Sequence, residues 1–207
     1  MNLDVWITLF LASLAISISP GAGAVVSMNY GIKYGLKKSY AAIFGLQAGL
    51  FIQTFIVVIG LGALIANSVM LFNIIKWIGV GYLLYLGFTK IFEKVETVEE
   101  TEHLKNYSAK KAFVSATLIN LTNPKATVFL VAFIPQFLNP SYSLWIQFII
   151  IITTLCIIDI FVMTGYSSMA SKLKFLIKDV KAMKIQNRIT GTFLILAALF
   201  MSTTKRG

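Results

Sequence analysis

Asp159 is the only acidic residue well inside an apolar stretch of this chain. A charged side chain at such a position costs about 2.5–3.5 kcal/mol in a lipid surround. It is therefore expected to be paired, protonated or reached by water. Two dipeptides, Ser19-Pro20 and Asn123-Pro124, could bring polar backbone to it, the second followed directly by Lys125. In each, a residue that favours helix N-caps precedes a proline, which favours the first helical turn. A helix that restarts inside an apolar span exposes free N–H groups and about half a positive charge at its new end. Such an end receives a carboxylate, while Asp159 could balance an ammonium or exchange a proton. The chemistry on offer is the holding of a small anionic or zwitterionic solute.

Around these points lie residues that could shape a polar path. Gly21, Ala22, Gly23 and Ala24 are small enough for close approach. Gln47, Gln53, Thr54, Asn120, Thr122, Thr153 and Thr154 supply polar side chains. Each has a plainer reading. A membrane proline can be only a kink, and a buried glutamine, asparagine or threonine can simply bond a neighbouring helix. Gly45 and Gly49 have the spacing of a helix-packing seam, and Asp159 and Lys125 could form a structural ion pair. Lys125 could also snorkel to the membrane surface.

The elements that would carry these residues follow from composition. Of 207 residues, 57% are hydrophobic and 13% charged, with a mean hydropathy of +0.82. A soluble domain of this size cannot bury that much apolar surface, so the expected solvent is lipid and the expected class is an all-α polytopic membrane protein. A single cysteine, Cys156, and a single histidine, His103, exclude a disulfide framework and argue against metal clusters and histidine-based catalysis. No cofactor and no metal site are expected. The net charge of +10 sits in short gaps between apolar segments, a topology signal and not a nucleic-acid face. The N-terminal stretch has Asp4 and no basic residue, which argues against a cleaved signal peptide.

Six apolar segments are read, at about 5–27, 41–66, 71–91, 112–137, 144–166 and 188–203. Fourteen of the 18 basic residues fall in alternate gaps: Lys33, Lys37 and Lys38 after the first segment; Lys90, Lys94, Lys105, Lys110 and Lys111 around the gap after the third; and Lys172, Lys174, Lys178, Lys181, Lys184 and Arg188 after the fifth. The intervening gaps, 67–70 and 138–143, contain none. The positive-inside rule then predicts a cytoplasmic side for the fourteen and both termini outside, with Lys205 and Arg206 running against it. Trp6, Trp77 and Trp145 fall where outer interface anchors belong. Glu93, Glu96, Glu99, Glu100 and Glu102 read, with His103, as a solvated linker.

Three segments per half is an odd number, so the halves must cross in opposite directions. The single domain 1–207 is thus expected to hold repeat one at about 1–91, a cytoplasmic linker at about 92–111 and repeat two at about 112–207, with helices 1 and 4 broken at Pro20 and Pro124. The two prolines are 104 positions apart. Lys76-Trp-Ile-Gly79 also resembles Arg188-Ile-Thr-Gly191, at an offset of 112. Matched broken helices in inverted repeats mark a secondary transporter with its substrate near the breaks.

The chain resembles the LysE/RhtB family of amino-acid exporters over nearly its whole length. The resemblance rests on Ser19-Pro-Gly-Ala-Gly-Ala24, Gly45-Leu-Gln-Ala-Gly49, Lys76-Trp-Ile-Gly-Val-Gly-Tyr-Leu-Leu-Tyr-Leu-Gly87, Asn120-Leu-Thr-Asn-Pro-Lys125 and Pro135-Gln-Phe137. It is nearest the homoserine/homoserine-lactone branch, through Gly45-Leu-Gln47, the Asn120–Lys125 motif and Asp159 before Gly165-Tyr166. Many relatives carry Pro-Gly-Pro followed by Asn or Asp at the first motif; here Ala22 and Ala24 leave only backbone. The resemblance implies six membrane segments and export of small neutral or basic amino acids from the bacterial cytoplasm, driven by the membrane gradient. Taken with the residues, the expectation is a non-enzymatic exporter of a small amino acid, homoserine or threonine-like, in the bacterial inner membrane, with protons as the coupling ion and a homo-oligomer as one arrangement. Ser19, Pro20, Gly21, Gly23, Gln47, Asn120, Asn123, Pro124 and Lys125 are the expected substrate-binding residues, and Asp159 the proton-coupling one. Two rival classes are a non-transporting scaffold or helper subunit and a membrane-embedded enzyme.

Overall fold

The computed structural model describes residues 1–61, 69–92, 107–139, 141–172 and 180–203. The acidic run and His103 lie outside the described residues. Every described element is helical: α1 Leu3–Ile18, α2 Ala22–Phe55 continuing through a π-helical turn Ile56–Leu61, α3 Val69–Phe92, α4 Ala109–Leu121, α5 Pro124–Phe133 running into a 3-10 turn Ile134–Phe137, α6 Leu144–Lys172 and α7 Val180–Thr203. A helix thus occupies each of the six apolar segments. Among the described residues, Ala22–Gly60 and Leu144–Lys172 are each long and apolar enough to cross a membrane, and the α4–α5 pair, bent by 55° at its break, makes a third such unit.

Both breaks occur where the sequence places them, and proline is the cause. The ring of a proline pushes the residue before it out of the helical region. Ser19 accordingly sits at ψ 117° and Asn123 at ψ 107°, both extended. α1 must stop at Ile18, and α4 must stop before Asn123.

α2 is not a straight rod. Gly35 adopts φ 75°, ψ 167°, a conformation open essentially to glycine alone. A Cβ placed on Gly23 would lie 3.5 Å from Leu46 Cδ1. In an uninterrupted helix those two residues would be about 35 Å apart at 1.5 Å per residue. The chain therefore reverses at Gly35, and α2 is a helical hairpin with arms 22–34 and 36–55. The expected gap carrying Lys33, Lys37 and Lys38 is compressed to this one glycine turn.

The polarity of the bundle is inverted relative to a soluble protein. Phe92, Phe161 and Met70 are 79%, 74% and 74% exposed, whereas Gln47, Gln53, Gln147, Asn120 and Lys76 are buried. That arrangement suits a lipid surround, where buried polar groups must find protein partners. Gln147 does so by bonding the backbone of Asn139 and Tyr142, pinning the turn that leads into α6.

The helices meet along small residues. Gly45 and Gly49 form a seam against α4. A Cβ on Gly45 would overlap the carbonyl oxygen of Phe113, and one on Gly49 would lie 2.8 Å from Asn120 Cβ. Thr117 Oγ1 donates to Gly45 O at 3.0 Å and Asn120 Nδ2 to Leu46 O at 2.6 Å, so the seam is both tight and hydrogen-bonded. Gly31 abuts the backbone of Ser167 on α6 in the same way.

The α3–α7 contact is reciprocal. A Cβ on Gly87 would strike Ile195 Cγ1 at 2.6 Å and Gly191 O at 2.9 Å, while one on Gly191 would strike Ile91 Cγ1 at 2.5 Å and the carbonyl oxygen of Gly87. Gly87 and Gly191 are 104 positions apart, as are Ile91 and Ile195, and as are Pro20 and Pro124. The sequence pairs Gly191 with Gly79 at an offset of 112; the glycine that Gly191 touches is Gly87.

Replacing Gly35 by alanine should lower the stability of the detergent-solubilised protein by about 1–3 kcal/mol, because only conformation and not space is lacking there. Gly81→Ala, in the middle of α3 with nothing near its Cβ position, should be neutral or slightly stabilising. Thermal unfolding of both variants checks this, and equal melting temperatures would refute the reversal at Gly35.

Candidate functional site

The last turn of α1 ends inside the bundle, and its carbonyls need donors. Ser19 N–H, at the C-cap, donates to Ala15 O at 3.2 Å. Lys125 Nζ, arriving from the first turn of α5, donates to Ile16 O at 3.1 Å and Ser19 O at 2.7 Å. Tyr166 Oη, from α6, donates to Ile18 O at 2.5 Å. Ser17 Oγ donates to Asp159 Oδ1, also on α6. Four successive residues of one turn thus gather a lysine, a tyrosine and an aspartate from two other helices.

Asp159 is held on its far side by Gln47 Nε2, which donates to Oδ2 at 2.7 Å. The carboxylate is fixed between α1 and the second arm of α2. Gln47 Oε1 has no hydrogen-bond partner among the described residues.

The start of α2 contrasts with the end of α1. Its N-cap is Gly21, extended at φ −143°, ψ −165°, and no side chain caps the helix. The first bond into the helix runs from Val25 N–H to Gly21 O, so the N–H groups of Ala22, Gly23 and Ala24 lack carbonyl partners within it. Ser19, which the sequence suggests as the cap, instead closes α1. Its extended pre-proline backbone places it two residues too early, and its hydroxyl, on a residue only 3% exposed, has no partner among the described residues. The second break follows the sequence expectation. Asn123 Oδ1 accepts from Lys125 N–H at 3.1 Å, with Pro124 in the first turn.

These parts surround one cavity of about 90 Å³, enough for several small polar atoms or waters. Ser19, Gly21, Gly23, Asn120, Asn123, Lys125 and Asp159 all line it, with Ser13, Ser17 and Ile16 from α1 and Phe129, Leu130, Leu155 and Met163 as its apolar wall. Gln47 stands behind Asp159 and does not line it, and Pro20 and Pro124 shape the backbone around it. Lys125 turns its ammonium onto α1, with its stem 3.3 Å from where a Gly21 Cβ would be. Gln53 bonds Leu121 O and Thr127 Oγ1, Thr122 bonds Leu118 O, and Thr154 accepts from Trp6 Nε1, so these residues serve the scaffold away from the cavity. Sequence reasoning passed over Ser13, Ser17 and the role of Tyr166. The available signal was a pair of serines one turn apart in the apolar second half of α1.

The family model for LysE type translocators matches residues 14–205. The chain belongs to the LysE type translocator family. It is 39% identical to an uncharacterized membrane protein of Vibrio cholerae over 206 residues, covering 99% of this chain and 100% of that one. It is 36% identical to a homoserine/homoserine lactone efflux protein of Salmonella typhimurium, covering 98% of both, and 31% identical to a leucine efflux protein of an Enterobacter species, covering 93% and 92%. No solved structure matches the chain. This LysE-family chain is therefore an integral membrane protein of a translocator family, and two of the relatives just described are named efflux proteins.

Because Asn123 caps α5 and Ser19 caps nothing, Asn123→Ala should cost about 1 kcal/mol of stability, while Ser19→Ala should leave stability unchanged or slightly raised. Melting curves in detergent test the pair, and equal losses would contradict the assignment.

Proposed function

We propose that the protein is a secondary active exporter of a small amino acid, homoserine or threonine-like, out of the bacterial cytoplasm across the inner membrane, driven by proton entry. The observation that carries this reading is the single cavity onto which two broken helices and Asp159 converge. The substrate carboxylate binds the uncapped N–H groups of Ala22, Gly23 and Ala24 and the Ser19 hydroxyl. Asn120, Asn123 and the positive end of α5 line the same cavity. Asp159, held by Ser17 and Gln47, balances the ammonium or carries the coupling proton. The hydroxyl-rich face of Ser13, Ser17 and Ser19 suits a hydroxylated side chain, in keeping with the 36% identical relative named for homoserine.

The two halves are read as inverted repeats in a register of 104. Residues equivalent in that register touch one another at Gly87–Gly191, and again at Gly21 and Lys125 inside the cavity. Contact between equivalent residues is what a two-fold axis requires. Both termini lie outside, and the halves rock about the axis to alternate access. One charge moved through about 150 mV supplies roughly 3.5 kcal/mol, enough for a few-hundredfold gradient at about 1.4 kcal/mol per decade.

Uptake of labelled homoserine into everted vesicles tests the reading. Asp159→Asn should lower it by roughly 10- to 100-fold, the loss expected when a charged hydrogen-bond partner worth about 1.5–3 kcal/mol is removed. What remains should no longer respond to a proton gradient. Unchanged, gradient-dependent uptake would remove Asp159 from the mechanism. A lactone, which lacks the carboxylate, should be carried poorly.

A further inference from the structure

The Lys125 ammonium occupies a site that a substrate could also use. Nζ bonds Ile16 O and Ser19 O at 3.1 and 2.7 Å. Both residues line the cavity, and their carbonyls form the negative end of the α1 dipole. Ser17, between them in sequence, holds Asp159. One turn of backbone therefore collects carbonyl oxygens and a carboxylate, a set of acceptors matched to a compact ammonium with three donors. Two residues further on, the chain presents the uncapped N–H groups of α2. An acceptor end and a donor end of two helices thus meet across Ser19-Pro20-Gly21, and the Lys125 stem lies against Gly21 at that junction.

A zwitterionic amino acid carries a carboxylate and a primary ammonium on adjacent carbons. With its carboxylate on the α2 N–H groups, its ammonium falls on the last carbonyls of α1, where Lys125 now sits. We infer that Lys125 is a resident stand-in for the substrate ammonium: it bonds the α1 carbonyls in the empty carrier, swings off them when an α-amino acid loads, and returns when the substrate leaves. The inference rests on the exporter reading above and adds a ligand site, the Ile16 and Ser19 carbonyls, with a primary ammonium as its ligand class.

The consequence is specific to the empty carrier. Net export requires the carrier to turn back unloaded. During that step the α1 carbonyls would lack a donor if Lys125 were absent, and unsatisfied polar groups inside a membrane are strongly penalised. During exchange the carrier turns loaded in both directions, and the substrate supplies the cation. Lys125 therefore matters far more for net efflux than for exchange.

The test uses the purified full chain in proteoliposomes loaded with labelled homoserine, threonine or leucine. Net efflux into substrate-free buffer is compared with exchange against the same unlabelled amino acid outside. Lys125→Met should slow net efflux about 100-fold, the equivalent of about 2.8 kcal/mol at 1.4 kcal/mol per tenfold, and should slow exchange at least tenfold less than that. Lys125→Arg keeps a cation but replaces the compact ammonium with a planar fork. It should fall between wild type and Lys125→Met in net efflux, again with exchange the less affected mode, and it carries the test by itself if the methionine variant does not fold. Parallel loss of both modes, or restoration of both together by arginine, would make Lys125 a structural strut and overturn the inference, as would undiminished net efflux. A wild type that carries none of the three amino acids would overturn the exporter reading itself, a failure visible before any variant is compared.

Discussion

A helix that stops inside a membrane leaves carbonyl groups that lipid cannot bond, and the protein must supply donors. In this chain that obligation falls on Ile16 to Ser19, the last turn of α1, and much of the interior follows from it. Lys125 and Tyr166 are drawn in from α5 and α6 to satisfy three of the carbonyls. Ser17, on the same turn, fixes Asp159. The donors gathered there tie α1 to two other helices, and the first N–H groups of α2, a few ångströms along the chain, are left with no side-chain cap. The break is therefore polar in one direction only: closed at the acceptor end and open at the donor end.

The two breaks share a cause and differ in outcome. Proline sets the end of the preceding helix in both, by forcing an extended residue before it. Asn123 has a side chain that reaches forward to cap the next helix, whereas the residue that follows Pro20 is a glycine with nothing to offer. Gly21 and Lys125 are 104 positions apart, as the two prolines are, and the lysine stem packs on the glycine. The small residue makes room for the long one at the centre of the bundle. The same accommodation, backbone against backbone at glycine, joins α3 to α7 at Gly87 and Gly191 and the α2 hairpin to α4 at Gly45. Close packing at glycine adds to the apolar clusters between these helices, as expected where lipid competes for apolar contact.

Much of this was legible before any coordinates. The six helical segments, the breaks at Pro20 and Pro124, the glycine seam and the isolation of Asp159 all follow from single-residue chemistry in an apolar background. What was not legible depends on direction. The sequence shows that Lys125 is near a break, but not that its ammonium turns away from its own helix onto another helix's carbonyls. It shows Ser19 before Pro20, but a capping role requires the next residue to start the helix, and here the helix starts at Ala22. Ser17 and Tyr166 are ordinary residues in apolar helices, and their importance arises from pairings 142 and 148 positions away in the chain. The reversal between the first two segments was expected in the gap carrying Lys33, Lys37 and Lys38, but its compression to Gly35 alone was hidden because helical residues flank it on both sides.

The central claim is that substrate binds at the open end of α2 beside Ser19. Its most direct test is a protection experiment. In a Cys156→Ser background, which removes the chain's only thiol, Ser19→Cys places a near-isosteric thiol on the cavity wall. Its reaction rate with a small cationic methanethiosulfonate reagent is then followed with and without homoserine. The account predicts that homoserine slows the reaction in a saturable way and that an amine lacking the carboxylate does not. A reaction rate indifferent to every amino acid the protein transports would contradict it.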